Sequence, residues 1–420
     1  MISKWQWLLA HVGRKLWVRA SLFALLGIGA ALLATVAERM WPGEVPVDIG
    51  ADAVDEILGI LASSMLAVTT FSLTVMVSAY GTAMANIAPR ATRLLMQDTT
   101  TQNVLGTFLG SFLFALVGLI ALHTEVYGSR GRVVLFAFTL LVIAAIVITM
   151  LRWIDHLSTF GQMPDTTERV EQAIERAMRS RIDHPAIGTS LMFDPDKEIP
   201  AGATPVYPDR IGYVMHIDIE QLHKWACERD GQVFVTKPAG AFVHQPEPLA
   251  WIVPACETVP EEIVGSFSLG KQRSFDQDPR YGMVVMAEIA SRALSPGVND
   301  QGTAIDVLGR VVRVLTCWCE GERLGPVGTL QRARVHVPPT ELADLFDDIF
   351  TPIARDGAGA LEMQTTLHEA LYILAHYGAS YRDNAQRHTR LALARAEEAL
   401  ILDNDKERIR ALAAKTLGVC

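Results

Sequence analysis

The chain has 420 residues, a formal net charge of −9, and 50% hydrophobic residues beside 20% charged ones. This length allows two or three domains, and the absence of a basic run argues against general nucleic-acid binding, which needs a positively charged surface. Five cysteines lack the spacing of a disulfide framework and indicate reduced thiols: Cys227, Cys256, Cys317, Cys319 and Cys420.

The apolar residues crowd into the first 151 positions. Four uncharged stretches there are long enough to cross a bilayer as helices, near 20–37, 57–80, 104–122 and 133–151. The first stretch has an alternative interpretation as a cleaved signal peptide, but its apolar part is long and a long segment precedes it. The sequence therefore predicts a membrane domain of four transmembrane helices over 1–151.

The distribution of charge around these spans predicts their orientation. Basic residues precede the first span, separate the second from the third, and follow the fourth, whereas the loop between the first two spans is acidic. The basic residues are Lys4, Arg14, Lys15, Arg19, Arg90, Arg93 and Arg152; the acidic ones include Glu44, Asp48, Asp52, Asp55 and Glu56. Arg130 and Arg132, between spans three and four, run against the pattern. The majority predicts a bacterial inner-membrane protein, in contact with membrane lipid, with both termini in the cytoplasm.

The second span is unusually rich in hydroxyl groups. No charged residue occurs from Ile57 to Pro89, and Ser63, Thr70, Thr74 and Ser78 fall within a sector of about 80° on a helix. Small hydroxylated faces serve close helix packing, or they line water in a pore built from several copies. The second interpretation makes these four residues pore-lining candidates and predicts a homo-oligomer. The absence of a central titratable residue in any span argues against a proton-coupled carrier.

The remaining chain is more polar and is predicted to be a cytosolic α+β region. We expect a linker and coupling helix over 152–208, a small β-rich module over 209–270, and a helical bundle over 271–420. The module's predicted strands are Tyr213–Ile217, Gln232–Thr236 and Ala250–Val253, with a helix that starts after Asp218. The predicted helices of the bundle are Met283–Leu294, Thr303–Leu315, Thr340–Phe350, Glu362–Tyr377 and Asp383–Leu417.

One stretch of this region, "AEIASRALSPGVNDQGTAIDVLGRV", predicts a helix, a rigid break and a new helix start. Pro296 ends the first helix, and Asn299 or Asp300 can cap the second. The stretch is a structural corner, or it is a site where a helix N-terminus holds an ion or an anionic ligand. The candidates for ligand binding are Arg292, Ser295, Asn299 and Asp300.

At this corner, and at "SSMLAVTTFSLTVMVSAYGTAMANIAPRATRLLMQD", the chain resembles the domain-of-unknown-function 2254 family of predicted bacterial membrane proteins. The resemblance covers nearly the whole chain and implies four spans, a β module and the helical corner, in that order. The chain departs from the family pattern at Gln301 and Gly302, where the family has a pair that contains proline. The resemblance implies an architecture and brings no activity.

Familiar catalytic and metal-binding motifs do not match. "HEALY" at His368 has Tyr372 where a zinc protease needs its second histidine, and Cys317 and Cys319 lack a second cysteine pair. The sequence also lacks a phosphate-binding loop, a nucleophile elbow and a dinucleotide fingerprint. We therefore expect no metal, no cofactor and no catalytic residues.

Three functions fit these patterns to different degrees. The first is an oligomeric pathway for ions or small solutes, lined by the second span and controlled by the cytosolic domain. The alternative is a membrane-anchored sensor or scaffold that binds an ion, a small molecule or a protein and transports nothing. An interfacial enzyme built on Ser295, Asn299 and Asp300 ranks below both.

Overall fold

A computed structural model describes residues 7–8, 12–13, 15–40, 51–86, 88–124, 129–182, 189–324 and 332–418. The chain divides into two compact units. The membrane unit comprises Leu8–Ala85 and Thr92–Asp165, and the α+β unit comprises Met1–Trp7, Asn86–Ala91 and Thr166–Cys420. Some residues used above for orientation and thiol state lie outside the described residues: Lys4, Arg14, Glu44, Asp48 and Cys420.

The membrane unit is built from helices. They are α1 (Leu16–Met40), α2 (Ala51–Asn86), α3 (Thr92–Met96), α4 (Thr99–His123) and α5 (Ser129–Thr159). Within the described residues, three apolar stretches are long enough to cross a membrane: Asp52–Met84, Thr92–His123 and Gly131–Ser158. The predicted first span lies in α1, whose apolar part, Trp17–Leu33, is shorter. Three of the four predicted spans are therefore found as helices of membrane-crossing length.

Glycines let α1 and α4 approach closely. A Cβ atom at Gly110 would lie 2.7 Å from the carbonyl oxygen of Phe23, and one at Gly27 would overlap the carbonyl oxygen of Gly110. Only glycine fits at such positions, because the backbones themselves are in contact. The close helix packing for which small residues are suited thus occurs between α1 and α4.

In its described residues, the α+β unit contains eight strands in two sheets. They are β1 (Thr189–Leu191), β2 (Thr204–Val206), β3 (Gly212–Ile217), β4 (Gln232–Val235), β5 (Phe242–Val243), β6 (Ala250–Val253), β7 (Phe267–Gly270) and β8 (Arg332–Val337). One sheet has the order β1-β8-β4-β6-β2 and the other β5-β3-β7. Strand β8 pairs in parallel with β1 and β4, and the other pairs are antiparallel. Residues of both sheets, among them Val214, Ile252 and Val335, share one buried core with Trp225.

Strands occur in the β module where the sequence predicts them, and a helix over Met163–Ile182 occurs where the coupling helix is predicted. β3, β4 and β6 lie where the sequence predicts strands, and Asp218 caps the following helix by accepting a hydrogen bond from the Gln221 amide at 3.1 Å. The sequence-based assignment was incomplete, however, because β8 lies in the region predicted to hold only helices. Its pairing with β4 joins segments separated by about a hundred residues, so β8 completes the sheet from outside the predicted module.

The helices of the α+β unit are α6 (Met163–Ile182), α7 (Pro195–Glu198), α8 (Ile219–Glu228), α9 (Glu261–Gly265), α10 (Pro279–Ala293), α11 (Gln301–Leu324), α12 (Leu342–Asp356), α13 (Leu361–Leu374), α14 (Ala379–Ala399) and α15 (Asp403–Leu417). A 3₁₀ turn, Ala375–Tyr377, follows α13. The prediction of a single helix over Asp383–Leu417 is wrong. The chain breaks at Leu400–Leu402 instead, and α15 folds back against α13 and α14.

Candidate functional site

The hydroxyl groups predicted on the second span lie on one exposed stripe of α2. Ser63, Thr70, Thr74 and Ser78 are all exposed in the subunit. The Ser63 hydroxyl donates to the Gly59 carbonyl at 3.0 Å, Thr70 to Leu66 at 2.9 Å, and Thr74 to Thr70 at 2.9 Å. Because each of these three hydrogens is used within the helix, the oxygen presents only acceptor lone pairs to its surroundings.

The stripe points away from the core of its own subunit. The buried residues of α2 include Leu58, Leu61, Met65 and Met76, and the first three contribute to the apolar core that α2 shares with α4 and α5. On a helix with 100° per residue, the centre of this buried side and the centre of the hydroxyl stripe are about 170° apart. Among the residues that the structure describes, the stripe therefore takes no part in packing within the subunit.

Two carboxylates continue the stripe toward the start of α2. Asp52 and Glu56 are exposed, and their angular positions on the helix coincide with those of Thr70 and Thr74 to within a few tens of degrees. Asp55 lies off the stripe, where its carboxylate is 3.5 Å from the Nδ1 atom of His123. One edge of the stripe is bordered by exposed aliphatic side chains, including Leu66, Leu73 and Val77.

The membrane unit also contains a polar cluster that the sequence analysis did not single out. Asp98 caps α4, and its Oδ2 atom accepts from the Thr101 amide at 2.7 Å and from the Thr101 hydroxyl at 2.6 Å. The Nε2 atom of His156, on α5, lies 3.0 Å from the same oxygen. Trp153 and Phe160 pack beside the imidazole. This cluster fixes the start of α4 against the end of α5.

The corner between α10 and α11 brings the four ligand-binding candidates into one turn. Asp300 caps α11, because its two oxygens accept from the Thr303 amide at 3.0 Å and from the Thr303 hydroxyl at 2.6 Å. These hydrogen bonds lower the pKa of Asp300. The Ser295 hydroxyl donates to the Arg292 carbonyl at 2.6 Å, and Asn299 adopts a φ of 52°.

Backbone hydrogen bonds close this corner. The amides of Val298 and Asn299 donate to the Ser295 carbonyl at 3.0 and 2.8 Å, and the Asp300 amide donates to the Ala293 carbonyl at 2.7 Å. The side-chain polar groups of Ser295 and Asp300 are thus used in hydrogen bonds within the turn itself. This geometry gives the corner a structural role, and ligand binding by Arg292, Ser295, Asn299 and Asp300 stays a prediction.

Four charged residues outside the predicted sites form a cluster between α6 and α11, centred on the buried carboxylate of Glu171. Arg313 donates to both oxygens of Glu171, at 2.7 and 3.0 Å, and Arg310 donates to Glu171 at 2.6 Å and to Asp306 at 2.7 Å. The pKa of Arg313 is raised, chiefly by its hydrogen bond to Glu171. The spacing of Arg310 and Arg313 on one face of a helix was a sequence signal for an acidic partner, but it did not identify Glu171.

Within the described residues, no group of three or more histidine, cysteine, aspartate and glutamate side chains has the arrangement of a metal site. None of the described cysteines, Cys227, Cys256, Cys317 and Cys319, forms a disulfide. His368 is fully buried, and burial lowers its pKa to about 4.

Comparison with known proteins identifies the family and leaves the activity open. The chain is 22% identical over 328 residues to "Uncharacterized protein MT1328" of Mycobacterium tuberculosis strain CDC 1551 and to "Uncharacterized protein Mb1321c" of Mycobacterium bovis. These alignments cover 73% of this chain and 61% of each relative, so the chain spans less than two thirds of their length. No solved structure matches it. The family model described as "Predicted membrane protein (DUF2254)" matches residues 13–372, and the chain therefore belongs to that family.

Proposed function

We propose that this protein forms a homo-oligomeric pathway for small cations across the bacterial cytoplasmic membrane, with the stripe of α2 as its lining. In this arrangement α1 joins the three longer helices as a fourth crossing helix, and both termini lie in the cytoplasm. The observation that carries the proposal is the outward direction of the hydroxyl stripe. A single subunit would turn Ser63, Thr70 and Thr74 toward lipid, whereas several copies around an axis would turn them toward one another.

The hydrogen bonding of the stripe supports a cation rather than an anion. The hydroxyl hydrogens of Ser63, Thr70 and Thr74 are donated to the carbonyls of their own helix. The surface they present is therefore made of oxygen acceptors, and oxygen acceptors replace the hydration shell of cations in selectivity filters. An anion would need donors, which these three hydroxyl groups do not offer.

The carboxylates at the start of α2 support the same choice. Asp52 and Glu56 lie on the stripe, so a ring of subunits would place a ring of carboxylates at one mouth of the pathway. Such rings concentrate cations and repel anions. The charge distribution of the loops predicts that this mouth faces away from the cytoplasm.

The second candidate is a membrane-anchored scaffold or sensor, and the same hydrogen bonds favour it. Hydroxyl groups that donate within their own helix cost little free energy when they are buried against another helix. Copies of α2 could then pack stripe against stripe without water between them. The two candidates predict different solvent access at Thr74.

Cysteine substitution distinguishes these candidates. In a background with the natural cysteines replaced by alanine, Thr70→Cys and Thr74→Cys are compared with Leu73→Cys and Val77→Cys on the neighbouring aliphatic edge. A cationic thiosulfonate reagent should modify positions 70 and 74 faster than an anionic reagent does, and should modify 73 and 77 slowly. Disulfide crosslinks at position 74 without reagent access would support the scaffold. Slow modification at all four positions, without crosslinks, would contradict both candidates.

Ion flux provides the functional test. The purified protein in liposomes should carry a cation current, and Thr74→Leu should reduce it, whereas Leu73→Val should not. An absence of flux in the wild-type protein, at a density where crosslinking shows oligomers, would contradict the pathway.

A further inference from the structure

Three contacts fasten segments next to the membrane helices to one helical hairpin of the α+β unit. This hairpin, residues 276–324, comprises the lead-in to α10, the corner and α11. Each segment makes its contact through one residue. These residues are Trp7, which precedes α1; Arg90, which follows α2; and Glu171, on the helix that follows α5. All three contacts lie within the α+β unit.

The first contact is made by Trp7. Its indole Nε1 donates to the Asp276 carboxylate at 2.9 Å, and its ring stacks on the His216 imidazole with centroids 5.0 Å apart. Both rings are buried in the unit. An aromatic ring held by stacking and by a hydrogen bond to a carboxylate has a defined orientation, so Trp7 is fixed to the start of the hairpin.

The second contact is an ion pair between Arg90 and Glu288, in the middle of α10. Arg90 comes four residues after the last residue of α2, and Pro89 between them restricts the backbone. Few residues of the sequence therefore separate the last residue of α2 from the ion pair with α10. A displacement of α10 at Glu288 would reach the end of the helix that carries the hydroxyl stripe.

The third contact is the cluster of Glu171, Arg310 and Arg313. Glu171 is 9% exposed and Arg310 is 13% exposed. Arg310 is held from a second side by Asp306, one turn earlier on α11. Because Glu171 and Arg310 are largely withdrawn from water, the geometry of their pair is set more tightly than that of a surface ion pair, whereas Arg313 is 58% exposed.

The corner connects the second contact to the third. Glu288 lies on α10 and the two arginines on α11, and the backbone hydrogen bonds of residues 293–300 hold these helices at a set angle. Asp300 adds the cap that starts α11. The hairpin is thus a rigid link between a contact that follows α2 and a contact on the helix that follows α5.

We propose that the α10–α11 hairpin regulates the pathway by transmitting displacements of the α+β unit to α2 and α5. The regulatory part rests on the proposed function, whereas the mechanical link does not. In this proposal the corner keeps α10 and α11 at a set angle, so that the two helices move together. This role accounts for the hydrogen bonds by which the side chains of Ser295 and Asp300, two of the ligand-binding candidates, stabilise the turn.

Remote effects test this inference in the full chain. We expect Glu171→Gln to change the rate of thiol modification at Thr74→Cys by about fivefold or more, a typical size for coupling between distant sites. Glu175→Gln is the matched control, because Glu175 lies one turn further along α6 and, within the described part of the chain, forms an ion pair with Arg179 alone, at 4.0 Å. If Glu171→Gln does not fold, Arg313→Gln removes two of the hydrogen bonds and leaves the Arg310 pair.

The Arg90 contact is tested by charge reversal and rescue. Arg90→Glu should change the same rate, and the double variant with Glu288→Arg should restore it. Arg93→Glu is the control, because it makes the same charge change three residues further on. An effect of Arg90→Glu that Glu288→Arg fails to restore would contradict the role of this pair.

Hydrogen exchange separates the inference from the proposed function. Glu171→Gln should speed exchange at residues 78–86 of α2, and Glu175→Gln should not. If position 74 resists the reagents in every variant but the exchange at 78–86 responds, the pathway fails and the mechanical link stands. If position 74 reacts but neither its rate nor the exchange responds to Glu171→Gln or Arg90→Glu in folded protein, the inference is overturned and the pathway stands.

Discussion

Glu171 in the α+β unit and the hydroxyl stripe of α2 show two ways of placing polar groups where water is scarce. Glu171 is buried, and both of its oxygens accept from arginines more than a hundred residues away in sequence. The hydroxyl groups of Ser63, Thr70 and Thr74 remain exposed, and they bond only to carbonyls within the same turn of helix. The comparison teaches that Glu171 depends on partners distant in sequence, whereas the hydroxyl groups of α2 donate locally and leave their acceptor lone pairs exposed in the subunit.

The largest expected effect comes from Glu171. Glu171→Ala removes the carboxylate that Arg310 and Arg313 share and leaves Arg310 with Asp306 alone. Removal of one partner from a buried ion pair costs about 3 to 5 kcal/mol. The remaining Asp306 partner and the exposure of Arg313 place the expected loss in the free energy of unfolding at about 3 kcal/mol. Chemical denaturation followed by circular dichroism measures it. Glu175→Ala should change the free energy by less than about 0.5 kcal/mol, and equal effects of the two variants would contradict the comparison.

A second effect concerns His368. Burial lowers the pKa of His368 to about 4 from an ordinary value of 6.5. Between these two pH values the unfolded chain binds a proton that the folded chain does not, so stability falls as the pH drops from 6.5 to 4. The loss reaches about 3 kcal/mol at pH 4, as an upper value.

His368→Leu should flatten this part of the pH profile of thermal unfolding. Gln364→Leu is the control, because Gln364 is equally buried one turn earlier on α13 and does not titrate. A profile that keeps its slope in His368→Leu would show that His368 is not the source of the pH dependence.

A smaller effect is expected at the corner. Asp300→Ala removes the cap of α11 and should lower the free energy of unfolding by about 1 kcal/mol, whereas Asp300→Asn should cost much less because asparagine also caps helices. The lowered pKa of Asp300 gives the sign of its pH dependence. Its contribution is present above the ordinary carboxyl pKa and disappears as the pH falls through the folded value. Denaturation curves of both variants at neutral pH test the role as a cap.

The smallest effect on folding is expected on the stripe. Thr74→Val removes a hydroxyl that is exposed in the subunit and bonded within its own helix, so folding should change by less than about 0.5 kcal/mol. Under the proposed function the same variant lowers cation flux in liposomes. Val77→Thr, on the neighbouring aliphatic edge, is the reverse control. A strong loss of folding in Thr74→Val would show that the stripe packs within the subunit after all.

Much of the fold could be predicted from local patterns in the sequence. The strands at 213–217 and 250–253 and the helix capped by Asp218 were predictable, because alternation and capping act over a few residues. Strand β8 was missed although Val335 and Val337 alternate with polar residues. Its parallel partners β1 and β4 come from distant segments, and nothing local indicates which sheet will accept such a strand.

By itself, the sequence determined which segments avoid water and which residues share a face of a helix. Hydrophobicity and the helical repeat are properties of neighbouring residues, and they placed three membrane-crossing helices and the hydroxyl stripe. Only the tertiary structure decided that this stripe points away from the subunit core, that Asp300 rather than Asn299 caps α11, and that Glu171 meets Arg310 and Arg313. Those facts depend on which surfaces pack together, and that is settled by the free energy of the whole folded chain rather than by any short segment of it.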